Sequence, residues 1–130
     1  MKEQEMRIRL AAVLGFLGVG LGAAGAHGAV HDMVVELGNL KNWETAVDYH
    51  LVHAVVLLIV GSFGGARPSK LVGWSWRFFF FGLLLFSGSL YVLSLTGMKW
   101  LGAVTPLGGL CLMVAWLLLA VGAGKCRESP

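Results

Sequence analysis

The sequence predicts an all-α membrane protein: a bundle of four antiparallel transmembrane helices with both termini in the cytoplasm. Three observations predict it. The composition is 57% hydrophobic and only 13% charged, with a mean hydropathy of +0.77, more apolar surface than a water-soluble core of 130 residues can bury. Four apolar runs each approach the roughly 20 residues that cover a hydrocarbon core of about 30 Å. Lys and Arg are spread unevenly over the flanks of those runs, eight on one side and two on the other.

The runs are 8–28, 45–64, 71–95 and 104–123, and the whole chain, 1–130, reads as one unit. In lipid every backbone polar group has to pair within its own segment, so the runs must be helices; no alternating, barrel-type pattern competes. The first run follows Arg7 and Arg9, which raises the possibility of a signal peptide with a cleavage site at Ala24-Gly25-Ala26. Its apolar stretch, Leu10 to Ala26, is long for that role. Small residues crowd it: Gly15, Gly18, Gly22 and Ala26, with Gly20, Ala24 and Gly28 on the adjoining face. Such spacing lets helices approach closely. It implies a helix buried in the bundle or, as the sharper alternative, a face through Gly18, Gly22 and Ala26 that receives a second copy or another membrane protein.

Between the first two runs, Val34, Leu37 and Leu40 recur every three residues, so 31–42 is expected to lie at the interface as a short amphipathic turn or two. Pro68 interrupts the second connection within Arg67-Pro68-Ser69-Lys70. The third is tight, around Gly97 to Gly102. Thr105-Pro106 reads as a helix cap followed by proline in the first turn; a start at Trp100 would instead place Pro106 inside the helix.

Orientation follows from the basic flanks. Lys2, Arg7, Arg9, Arg67, Lys70, Arg77, Lys125 and Arg127 define the cytoplasmic side; Lys41 and Lys99 fall opposite, with Asp32, Glu36, Glu44 and Asp48. Trp43 and Trp100 are expected at the outer interface and Trp74 and Trp76 at the inner one. Membrane lipid is the implied partner. A nucleic-acid role is excluded, because the basic residues form no stripe interleaved with aromatics. Cys111 and Cys126 would be about 22 Å apart on a continuous helix, out of disulfide reach, and read as one packing thiol and one free thiol.

Polar residues inside lipid are costly and mark the bundle interior. His27 ends the first run. Counted from Glu44, His50 lies about 9 Å and His53 about 14 Å down the second helix, and counted from Thr96, Ser87 lies about 14 Å down the third, level with His53. Ser87, Tyr91 and Ser94 share one face, and Thr105 enters from the fourth helix. The candidate site is therefore a polar patch of His27, His50, His53, Ser87, Tyr91 and Thr105 in the outer half of the bundle. Three uses are open to it: hydrogen bonding across helices, ligation of a metal or haem by His27, His31, His50 and His53, and a pocket for a lipid, quinone or other small molecule. No cofactor and no metal is predicted outright, since no Cys-x-x-Cys, His-Glu-x-x-His or carboxylate cluster accompanies the histidines. No nucleophile, base and orienting acid are evident. Ser87-Gly88-Ser89 sits mid-helix without the Gly-x-Ser-x-Gly pattern, and Gly18, Gly20 and Gly22 lie in a membrane span rather than after a strand.

Four motifs in order, Gly22-Ala23-Ala24-Gly25-Ala26-His27-Gly28, Trp43-Glu44-Thr45-Ala46-Val47-Asp48-Tyr49-His50-Leu51-Val52-His53-Ala54, Leu85-Phe86-Ser87-Gly88-Ser89-Leu90-Tyr91 with Leu95-Thr96-Gly97, and Thr105-Pro106-Leu107-Gly108-Gly109, resemble the transmembrane protein 256 family, a domain of unknown function found in bacterial inner-membrane proteins. The resemblance runs over nearly the whole chain. It implies a multi-pass inner-membrane protein that keeps its first helix, with no established activity and no catalytic residue to carry over. The family pattern has an aromatic where Ala24 stands and often glutamine where His50 stands. The first departure leaves space beside His27, and the second adds a titratable group. The functional expectation is a non-enzymatic accessory or assembly bundle, or one that holds a lipid-like ligand. Cofactor binding or small-solute or proton transport through the outer patch comes second, and an enzyme third.

Overall fold

The computed structural model describes residues 2–63 and 69–125. The expectations resting on Arg67, Pro68, Cys126 and Arg127 lie outside the described residues. Five helices follow in order: α1 (Lys2–Ala26), α2 (Ala29–Glu36), α3 (Leu40–Ser62), α4 (Lys70–Thr96) and α5 (Leu101–Lys125). Four of them, all but α2, are long and apolar enough to cross a membrane, and no strand occurs among the described residues. Each begins before its apolar run, and α4 and α5 also end beyond theirs. α1 gathers in Lys2 to Arg7, because polar residues with good helix propensity continue a helix into water at little cost.

Backbone packing runs in series, α1 on α3, α3 on α4 and α4 on α5, with no backbone contact between α1 and α5 among the described residues. α3 and α4 form the centre, and α1 and α5 lie against opposite sides of that pair. The core is continuous across all four: Ala11 and Leu14 of α1, Leu57 and Val60 of α3, Phe79 and Leu83 of α4, Leu112 and Ala115 of α5. Large side chains on the outer surface stay uncovered, Phe16 at 78% and Leu117 at 67% exposure, as lipid-facing residues do.

The segment expected at the interface contains a true helix, α2, and of its three expected apolar residues Val34 and Leu40 pack inward. Val34 is fully buried among Trp43, Val47, Val30 and Leu40, whereas Leu37 is exposed. Val30, four residues before Val34, joins that face, while Leu37 is the residue just past the end of α2 at Glu36, where the helical spacing stops. The turns at the α2 end of the bundle each contain a glycine with positive φ, Gly28 (86°), Gly38 (70°) and Gly97 (70°), a region that L side chains rarely adopt. The amide of Gly97 returns to the Leu93 carbonyl to close α4, and the Ser69 hydroxyl accepts from the Leu71 amide to open it.

α5 begins at Leu101, so Thr105 is not its cap and Pro106 lies inside the helix. A turn supplies the first amides instead: Leu101, Gly102 and Ala103 donate to the carbonyls of Met98, Lys99 and Trp100. Pro106 removes only one intrahelical bond, near the end of the helix.

The α4–α5 seam is the closest. Ser75, Gly82 and Ser89 repeat every seven residues on α4, and Gly108, Ala115 and Gly122 do so on α5. A Cβ added at Gly108 would press on the Phe86 backbone nitrogen and come within 2.8 Å of its Cα; one at Gly122 would lie 3.0 Å from Leu71 Cβ. Gly108→Ala should therefore lower stability by about 1–3 kcal/mol through overpacking, measured as the unfolding midpoint in mixed micelles. Gly15→Ala, with nothing within 4 Å, should be neutral or gain about 0.5–1 kcal/mol from helix propensity. Equal effects at the two sites would contradict this packing.

Candidate functional site

The six expected residues do not form one patch. His27 is exposed just past the C-terminal end of α1. His50 lies in the α1–α4 direction from α3: it is 5% exposed, and its Nδ1 is 2.9 Å from the Tyr91 hydroxyl of α4. His53, 6% exposed, turns to the other side of the α3–α4 pair, with Phe79 and Trp116 rings 5.8 and 6.3 Å away. Its Nδ1 is 2.8 Å from the Tyr49 carbonyl; a carbonyl only accepts, so Nδ1 carries the proton. Ser87 donates to the Ala46 carbonyl at 2.8 Å. Thr105 meets Ser89, not Ser87, with the hydroxyls 2.7 Å apart, and it also donates to Leu101 O.

The expected match in depth between Ser87 and His53 is also corrected. Ser87 stands beside Ala46, seven residues outward of His53 along α3, a difference of about 10 Å at 1.5 Å per residue. Counting from Thr96 misplaced it because α4 runs past the level of Glu44, with Leu93 and Ser94 beside Asn39, so the third apolar run does not end level with the start of the second.

His31 is committed elsewhere. It donates from Nδ1 to the Gly25 carbonyl at 2.8 Å, one of the carbonyls left open at the end of α1. The four imidazoles considered for metal or haem ligation therefore point in separate directions, and no group of three or more His, Cys, Asp or Glu is close enough to hold a metal among the described residues.

What does form is a small site around His50. A cavity of about 150 Å³ lies between α1 and α4 over α3, lined by Leu14, Leu17 and Leu21, by Leu83, Leu84, Ser87 and Tyr91, and by His50 itself. The Nε2 atom of His50 is buried without a hydrogen-bond partner. A buried unpaired nitrogen costs free energy unless something completes it, so this atom is where a guest molecule or an ordered water would attach. Ser94 Oγ is the other buried orphan, higher on α4. Asn39 reaches the same turn through the Leu93 and Ser94 carbonyls at 3.4 and 3.5 Å.

Two tryptophans expected in the interfacial belt act inside the protein. Trp43, 2% exposed, donates its indole N–H to the Leu21 carbonyl of α1 at 3.0 Å; Trp76, 5% exposed, does the same to Leu57 of α3. In both cases the residue four positions after the accepting carbonyl is glycine, Gly25 and Gly61, and a Cβ there would collide with the indole of Trp43 or come within 3.2 Å of the Trp76 nitrogen. Trp74 and Trp100 remain exposed, as a belt requires. The small-residue face of α1 is likewise used internally. An added Cβ at Gly18 would meet Leu51 and His50, and one at Gly22 would meet Val47.

If Tyr91 is the partner that holds His50, Tyr91→Phe leaves both ring nitrogens unpaired and should cost about 1–3 kcal/mol. The double variant His50→Leu/Tyr91→Phe should then cost clearly less than the sum of the two single changes, measured by unfolding in mixed micelles. Strict additivity would show the pair to be uncoupled.

The family model described as "Protein of unknown function (DUF423)" matches residues 21–109, from the end of α1 into α5 and across every candidate residue. A UPF0382 membrane protein of Staphylococcus saprophyticus is 41% identical over 118 residues, 91% of this chain and 96% of that protein. The UPF0382 membrane protein YwdK of Bacillus subtilis is 41% identical over 122 residues, covering 91% and 95%. The UPF0382 inner membrane protein YgdD of Escherichia coli is 39% identical over 119 residues, covering 91% and 88%. No solved structure matches the chain.

Proposed function

Since the chain belongs to the DUF423 family of proteins of unknown function, we propose that this multi-pass membrane protein is a non-enzymatic bundle of the bacterial inner membrane that holds a lipid-like amphiphile beside His50. The single observation that carries the reading is the buried, unpaired Nε2 of His50 against a cavity of about 150 Å³, the share of liquid volume of about five waters at ≈30 Å³ each. Its walls are leucines of α1 and α4, so an apolar chain with one hydrogen-bonding group fits them. Against an enzyme stands the use of the hydroxyls: Ser87 is bonded to a helix carbonyl and Ser89 to Thr105, neither to a histidine. The inner-membrane assignment is supported by the name of the Escherichia coli relative. The likeness to the transmembrane protein 256 family, resting on four ordered motifs, belongs to the same proposal.

The proposed topology places both termini in the cytoplasm. Lys2, Arg7, Arg9, Lys70, Arg77 and Lys125 share one end of the bundle, and Lys41 and Lys99 the other. Arg7 is held there structurally: it pairs with Glu3, its guanidinium lies 5.5 Å from the Trp76 ring centroid, and Gln4 donates to Ser62 O. Membrane lipids are the partners in this reading. A second copy docked on Gly18, Gly22 and Ala26 is not part of it, because α3 already covers the first two.

A fluorescent protein fused after residue 130 should fold and fluoresce, and alkaline phosphatase at the same place should be inactive; an active phosphatase would reverse the topology. For the ligand, protein extracted with its surrounding lipid should carry a neutral amphiphile by mass spectrometry, and His50→Leu should lose it. Equal lipid content in both proteins would reduce the cavity to a water site.

A further inference from the structure

A second, larger groove lies on the opposite side of the α3–α4 pair, lined by residues of α3, α4 and α5. Its volume is about 560 Å³. It extends from Pro106 to Trp116, ten residues of α5 or about 15 Å of helix, with His53 and Trp116 at its deep end and Tyr49 and Phe86 along its wall. None of its lining residues is Lys, Arg, Asp or Glu.

His53 gives this groove a defined chemistry. Its Nδ1–H is fixed on the Tyr49 carbonyl, so in the neutral ring Nε2 bears the lone pair, and that atom has no protein hydrogen-bond partner among the described residues. Lipid acyl chains would fill the groove and leave the lone pair unanswered. An occupant that completes this atom has to bring an O–H or N–H.

Depth narrows the choice. His53 is the fourteenth of the 23 residues of α3, about 13 Å from Ser62 and about 20 Å from Leu40. At that level a phospholipid headgroup would be a buried charge with no counter-ion. The donor has to be small and uncharged. The walls favour a flat ring: Tyr49 and Phe86 stack at 4.2 Å, and Trp116 stands edge-on to Phe79 at 5.1 Å.

We propose that the α3–α5 groove binds a quinol, the reduced form of a lipid-soluble benzoquinone or naphthoquinone, whose ring hydroxyl donates to His53 Nε2. The proposal is independent of the His50 reading, since the two imidazoles serve different sides of the α3–α4 pair. It also carries a sign: the quinol offers the hydrogen that Nε2 accepts, and the oxidised quinone does not, so the reduced form binds more tightly.

The test uses the full chain in phospholipid nanodiscs, titrated with a short-chain ubiquinol and its quinone and followed by tryptophan fluorescence and native mass spectrometry. Saturable binding of one quinol per chain is expected, with the quinone about tenfold weaker. His53→Leu should weaken quinol binding about tenfold and remove the preference for the reduced form, while Gly15→Ala, at a position with nothing within 4 Å, leaves both unchanged. Met113→Trp, which fills the groove from its exposed side and keeps the histidine, should also abolish binding; it covers the case in which His53→Leu does not fold. Non-saturable partitioning, equal affinity for the two redox forms, undiminished binding in Met113→Trp, or equal-strength displacement by added diacyl phospholipid would each overturn the proposal.

Discussion

Inside a bilayer, two apolar helices gain nothing by leaving lipid for each other, and that constraint governs every seam of this protein. The helices are joined instead by backbone approach at small residues and by side-chain donors placed on the carbonyls of the neighbouring helix. Trp43 bonds α1, Trp76 and Ser87 bond α3, and Ser75 bonds α5 at the Ala115 carbonyl, 2.8 Å away. A helix carbonyl has a second lone pair after its intrahelical bond, so these donors are satisfied without breaking the ladder. Glycine four residues on is what lets the bulky indole reach it. Each such bond contributes only about 0.6–2 kcal/mol, but the bonds fix rotation and register, which dispersion alone leaves loose.

The same constraint explains why the polar residues are scattered. Most of the intramembrane hydroxyls and indoles serve the seams, and each seam needs its own. His50 and His53 are three residues apart and so share a broad face of α3, yet α4 lies against that face and divides it. One imidazole is left toward α1, the other toward α5. A site spanning all four helices would need a closed ring around a common axis, whereas serial packing produces two separate grooves.

Span number, helix type and the basic asymmetry could be read in the sequence because each depends on composition over some twenty residues, and lipid tolerates no alternative backbone. The pairing of His50 with Tyr91 was within reach because both lie in the outer half of adjacent helices. Relative depth was not. It depends on how far α4 runs past the level of Glu44, and one misjudged end shifted Ser87 by two helical turns. Trp43 and Trp76 were misassigned for a related reason: an indole near a helix end suits the lipid surface and a neighbouring carbonyl equally well, and only the partner's glycine decides. The heptad of Ser75, Gly82 and Ser89, answered by Gly108, Ala115 and Gly122, was present in the sequence as a signal of the closest seam, beside the more conspicuous glycines of α1.

α2 packs on α1, α3 and α4 at one end of the bundle, with Val34 fully buried against Trp43 and Val47. The gaps between α1 and α4 and between α3 and α5 face sideways instead. A guest that enters through either gap comes by two-dimensional diffusion, already dissolved in the bilayer. Its effective concentration is then set by how it partitions into the membrane, not by its abundance in water, and hydrophilic solutes are filtered out before recognition begins.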